Sequence, residues 1–350
     1  MGRKVSRREF LKGAAAGIGI CSAAALPLDV LAAPNRRKSR IVIVSSPTVF
    51  ADPETNPNTV EKLGLAAAGA WDTSVDQLVL NSMLDQALQK FTGMRPDAAW
   101  RSLFKPSDVV GIKVNCLYGK GASTRPEVVA SVITGLRVAG VKEENIIVWD
   151  SKDADLIKGG YRINRDGPGV KCYGTQDDYE ETPATVGQFS GRLSKILTQQ
   201  ITALVNVPIL KDHGMSGITC AMKNHYGSHH NPGDHHANNC DPFIAELNSI
   251  PVIRNKTRLI LCEALKPLAD GGPALKRKCL WDYCSLMIGA DPVALDYQGW
   301  QIIEARRKEI GMKSLTESHR EPKWIATAVS LGVGANDPAK IEVIHKVLSA

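Results

Sequence analysis

The chain has 350 residues, of which 43% are hydrophobic and 23% charged, with 30 Gly, 19 Pro and a formal net charge of +7. These values are ordinary for a globular protein and exclude collagen-like, disordered and multi-span membrane classes. Aromatic residues, at 5%, are too few for a carbohydrate cleft lined by Trp or a sandwich packed on rings.

The chain opens with Ser6-Arg7-Arg8-Glu9-Phe10-Leu11-Lys12, followed by a Gly/Ala-rich apolar stretch ending near Leu26. A basic start, a mildly apolar middle and a small-residue cleavage site are the layout of a twin-arginine signal peptide. Val30-Leu31-Ala32 places cleavage after Ala32, with Ala33 as the alternative. The apolar run is short and is followed by Pro27 and Asp29, so it is a poor membrane span. Cys21 follows Ile20, where a lipoprotein signal needs a small residue. The expected partner at this stage is the twin-arginine translocase, and the expected location is periplasmic or otherwise exported. Residues 1–32 carry a net +3, which leaves about +4 on the remainder. There is no long basic stripe with interleaved aromatics, so nucleic acid is not an expected partner. The expected organisation is a signal at 1–32, a basic tail at 33–39 and one α/β domain at 40–350.

Short apolar runs then alternate with helical patterns. Residues 40–46 (RIVIVSS) read as a strand, and 74–91 as a helix capped by Thr73 or Ser74. A strand is predicted at 108–115, a helix at 126–139 with Pro126 in its first turn and Gly140 as its stop, and a strand at 145–149. Further strands are predicted at 203–209, 257–262 and 286–289, and a long helix over Pro292–Glu309. This alternation predicts a layered α/β fold with a largely parallel or mixed sheet flanked by helices, with ligands at the carboxyl ends of strands. Neither G-x-G-x-x-G nor G-x-x-x-x-G-K-[ST] occurs, so no nucleotide motif is present.

Seven cysteines follow Cys21, an odd number that cannot all pair within one chain. No Cys-x-x-Cys or iron–sulfur cluster motif is present. Cys279 and Cys284, the closest pair, are candidates for a disulfide, with zinc spacing at its upper limit and no second pair nearby. Cys262 reads as a small core residue.

Six of the eight histidines lie between 213 and 236. The run Val205–Gly214 ends an apolar strand in Lys211-Asp212-His213, and 216–226 reads as helix-like and contains Lys223-Asn224-His225. If that segment were fully helical, the two Lys-x-His units would stand roughly 18 Å apart. Neutral imidazole with Asp234 suits a first-row transition metal (Zn, Fe, Cu or Ni), so His225, His229, His230, Asp234, His235 and His236 are the candidate ligands. His225 and His229 would share a face on a continued helix, which Gly227 interrupts. The rival reading is a polar loop of solvated or capping histidines. Lys211 and His213 are candidate proton-transfer groups for a small anionic ligand, and Lys223 with Asn224 would hold developing negative charge. Asp270, Gly272, Asp291 and Asp296 are candidate cofactor-binding residues, with Asp291 better suited to cap the helix at Pro292 and Asp296 more than a turn inside that helix.

The runs VGIKVN (110–115), VPILKDHGMSGITCAMKNHYG (207–227), Asp270-Gly271-Gly272-Pro273 and ADPVALD (290–296) resemble, in that order, the domain-of-unknown-function family number 362. The resemblance extends over roughly 40–310 and implies a fold and a site location more than an activity. Some relatives carry an appended ferredoxin-like domain, whose cysteine runs are missing from this sequence. The expected function is therefore an exported protein with a Lys/His-rich site for a metal ion or small anion, supporting proton-transfer or metal-assisted chemistry. The alternative is a non-catalytic binding or redox-partner accessory protein.

Overall fold

The computed structural model describes residues 38–50, 59–66 and 74–349. The expected twin-arginine leader, its expected cleavage point, Cys21 and Thr73 lie outside the described residues. The strands are β1 (Ser39–Ser45), β2 (Val110–Lys113), β3 (Ile146–Asp150), β4 (Lys171–Gly174), β5 (Ala184–Val186), β6 (Phe189–Gly191), β7 (Ala203–Asn206), β8 (Ile209–His213), β9 (Gly217–Thr219), β10 (Thr257–Leu268), β11 (Ser285–Gly289) and β12 (Ile341–Val347). The helices are α1 (Thr59–Lys62), α2 (Gln77–Thr92), α3 (Pro96–Leu103), α4 (Pro126–Val138), α5 (Asp153–Lys158), α6 (Phe243–Ser249), α7 (Pro251–Lys256), α8 (Pro292–Glu309) and α9 (Trp324–Ser330).

Eight strands form a continuous mixed sheet in the order β12-β1-β11-β10-β7-β2-β3-β4, with β8 branching from β10 and β9 pairing with β8. The block β10-β7-β2-β3-β4 is parallel, and β11 is antiparallel to both β10 and β1. Side chains alternate across each strand, so Val42 and Val44 join one apolar layer while Ile41 and Ile43 join the other. The layered α/β fold read from the sequence is the fold observed.

Three local readings need correction. The cap of α2 is Asp76, whose carboxylate accepts the amides of Leu78 and Val79, rather than Ser74. The predicted strand 203–209 is two strands. Pro208 supplies no amide for a ladder, so the chain leaves β7 at Asn206 and resumes as β8 further along β10. Cys279 and Cys284 are free thiols, so the candidate disulfide between them is not formed.

Candidate functional site

Three adjacent parallel strands end in buried polar residues: β7 in Asn206, β2 in Lys113 and β3 in Asp150. Lys113 Nζ donates to Asp150 Oδ1 at 2.8 Å and to the Val114 carbonyl at 2.7 Å. The other carboxylate oxygen accepts the Cys116 amide at 2.7 Å. Gly227 crosses directly above this pair, where a Cβ would sit 2.4 Å from Asp150 Oδ1, so the position admits no side chain.

Alternation along β8 sends Lys211 and His213 to one side and Asp212 to the other. Asp212 accepts from Arg320 at 2.8 Å and from the Gly272 amide at 3.0 Å. Burial lifts Asp212 to about 6 against the pull of Arg320. Lys211 Nζ donates to Asn115 Oδ1 at 2.9 Å and to the Ala122 carbonyl at 2.6 Å. From there a chain of amides runs inward. Asn115 Nδ2 donates to Asn224 Oδ1 at 3.2 Å, Asn224 Nδ2 to Asn206 Oδ1 at 2.7 Å, and Asn206 Nδ2 to the Ala221 carbonyl at 2.8 Å. Each amide oxygen accepts and each nitrogen donates, which fixes all three orientations.

The segment 216–226 is not a helix. It folds back as β9, antiparallel to β8, and then enters a 3₁₀ turn over Lys223–Ser228. This reversal brings the two Lys-x-His units together rather than holding them a dozen helical residues apart. Lys223 Nζ lies 3.0 Å from His236 Nε2, 3.6 Å from Cys240 Sγ and 3.3 Å from the centre of the Tyr226 ring. His213 stacks on His236 with ring centres 5.7 Å apart. His213 Nδ1 accepts the amides of Met215 and Ser216, so the neutral ring carries its proton on Nε2. Burial, then the charges of Lys223, His236 and Lys211, pulls His213 down to about 2. Burial likewise pulls Lys211 down to about 8 and Lys223 to about 7.

The six candidate metal ligands do not converge on one point, although the rings of His229 and His235 stand 5.0 Å apart. Among the described residues no group of three His, Cys, Asp or Glu side chains stands close enough to hold a metal ion. His225 is buried against Ser228 at 3.1 Å, with burial lowering it to about 3. His229 bonds the Asn231 side chain and His235 the Asn231 carbonyl, both packed on Phe189. His230 accepts the Arg192 amide, and Asp234 is exposed beside Asn231. Of the six, His236 alone contacts Lys223.

The four candidate cofactor-binding residues also have internal partners. Asp270 pairs with Lys276, Arg307 and Arg320. Gly272 donates its amide to Asp212 and its carbonyl accepts from Gly214. Asp291 caps α8 by accepting Val293 and Ala294 amides. Buried Asp296 accepts the amides of Ala221 at 2.6 Å and Met222 at 3.0 Å, just before Lys223. Asp296 therefore positions the turn.

Lys113, Asn115 and Asn206 were not among the sequence candidates. Their signal was a polar residue closing an apolar run, as in VGIKVN and ALVN, the same signal that pointed to Lys211. Glu263 is buried on β10. It accepts the Arg125 amide at 2.7 Å and pairs with its side chain at 3.3 Å, while burial lifts it to about 7.

A family model described as "Domain of unknown function (DUF362)" matches residues 110–301, the span from β2 into α8 that contains the whole cluster. No curated protein matches the sequence. A crystal structure of a protein from Thermotoga maritima is similar at 11% identity and a TM-score of 0.43, covering 67% of this chain and 59% of that one. The lactate racemase apoprotein from Thermoanaerobacterium thermosaccharolyticum is similar at 8% identity and a TM-score of 0.38, covering 64% of this chain and 55% of that one. The chain thus spans less than two thirds of either structure's length.

Proposed function

The chain belongs to the domain-of-unknown-function family DUF362, whose match takes in more than half of it, and on that premise we propose that it binds a small organic anion at Lys211 and supports proton transfer through Lys223. The observation that carries this reading is the burial of two lysines without counter-charge. Lys211 is 2% exposed and Lys223 5%, and neither has a carboxylate partner among the described residues. Lys113, equally buried, has Asp150.

An unpaired buried ammonium is costly, and a bound carboxylate would relieve that cost. Two of the three Lys211 hydrogens are taken by Asn115 and Ala122, which leaves one for a ligand. The Nε2–H of His213 supplies a second donor from the same strand. Lys223, lowered to about 7, exchanges a proton near neutral pH. Its neighbour His236 is half-buried and offers a relay toward solvent.

Isothermal titration of acetate, pyruvate and phosphate into wild-type protein and Lys211→Met tests the binding. At least about a tenfold loss of affinity in the variant is expected, and equal affinity would overturn the reading. A bound α-proton should exchange with deuterated solvent in wild type and not in Lys223→Met. The rival of a pure binding module predicts no exchange in either. The leader supports action outside the cytoplasm, and sequencing of exported protein should find Ala33 at its N-terminus.

A further inference from the structure

The loop joining β2 to α4 is tied down on several sides. The Gly119 amide bonds the Cys116 carbonyl at 3.2 Å, Ser123 Oγ the Gly119 carbonyl at 2.6 Å, the Lys120 amide the last carbonyl of α5 at 3.1 Å, and the Thr124 amide the Asn115 carbonyl at 2.8 Å. Within it Tyr118 is held at φ 98, a conformation that a bulky L-residue takes only when its surroundings impose it. The result is an aromatic ring 48% exposed, with its centre 6.0 Å from Lys211 Nζ. Leu117 beside it is 52% exposed. Met215, on the turn between β8 and β9 and two residues from His213, is 47% exposed. The segment 270–276 links the two loops. The Gly272 carbonyl accepts the Gly214 amide at 2.9 Å, and Gly121 packs on Leu275.

Lys211, with one hydrogen unused, therefore lies near an aromatic ring that folding leaves in water. Strain held at an exposed ring points to a function outside the core. We propose that the ligand is an amphipathic carboxylate, with its charge on Lys211 and an aromatic or branched apolar group against Tyr118, Leu117 and Met215. This rests on the anion reading above and names its ligand class. Tyr118 is then the specificity-determining residue, because a ring presented at fixed geometry stacks on a flat or branched group at little entropic cost. Inorganic phosphate and acetate would use the Lys211 contact alone.

Titration of phenylacetate, acetate and phosphate into the full chain tests the inference. Wild type should bind phenylacetate about tenfold or more tightly than acetate. Tyr118→Phe should keep that preference. Tyr118→Ser should erase it and leave acetate affinity within about twofold, because the exposed ring is not part of the core. Equal affinity of wild type for phenylacetate and acetate, or a preference that survives Tyr118→Ser, overturns the amphipathic class and leaves the anion site standing. Binding of all three probes unchanged by Lys211→Met, or no binding of any, overturns the anion site and this inference with it. Circular dichroism and thermal unfolding of Tyr118→Gly, which accepts positive φ without strain, separate a folding defect from lost recognition.

Discussion

Lys113 and Lys211 occupy equally buried positions and differ in what faces them, a carboxylate for one and amide and carbonyl oxygens for the other. Their substitutions should diverge for that reason. Lys113→Met strands Asp150 in the interior and should cost about 3–5 kcal/mol. Lys211→Met removes an unpaired charge and should leave stability unchanged or raised, which urea unfolding of the two variants measures. Gly227→Ala forces a methyl onto the Lys113–Asp150 pair and should cost about 1–3 kcal/mol. At this scale the sequence already showed Lys211, His213, Lys223 and Asn224, because each interrupts or closes an apolar run. Asp150 directly follows the apolar run at 145–149, but its tie to Lys113 is not legible there, since that pairing depends on the register between β2 and β3.

The segment that carries Lys223 is decided between elements rather than within one. Its composition suits a helix, yet the Gly214–Gly217 turn reverses the chain onto β8. Gly217 sits at φ 79, with the Arg320 carbonyl where a side chain would begin. A helical reading of the apolar residues Ile218, Ala221 and Met222 misses this, because strand pairing and the pull of Asp296 on two amides override local propensity. Asp296→Ala would leave the Ala221 and Met222 amides buried without acceptors. It should lose about 2–4 kcal/mol of stability by denaturant titration, and anion affinity should fall with it. Undiminished affinity would show that the turn holds its shape without the carboxylate. The strands and long helices were legible in outline because they obey simple periods. The hairpin β8–β9 was not, because three residues of β9 are too few to display one.

Over the whole molecule, a sheet with apolar layers on both faces concentrates its buried polar groups where parallel strands end, and that arrangement makes stability depend on pH. Burial lowers His225 from 6.5 to about 3, so the unfolded chain takes up a proton before the folded one does. The stability that depends on neutral His225 is fully present above pH 6.5 and falls by about 1.4 kcal/mol per pH unit as pH drops toward 3. Asp296, raised from 3.8 to about 7, acts in the opposite sense, its contribution declining as pH rises through that window. Comparison of wild type with His225→Gln at pH 4.5 to 7.5 isolates the histidine, and a stability difference that does not change with pH would contradict its burial as a neutral ring. The central claim is that two lysines stand in the interior without counter-charge, ready for an anion. Proton titration of the lysine ¹³Cε resonances by NMR, assigned with Lys211→Met and Lys223→Met, tests it most directly. Two lysines should titrate near 8 and 7 instead of 10.5, and addition of a bound carboxylate should move Lys211 upward. Titration of every lysine near 10.5, with no response to carboxylate, would contradict it.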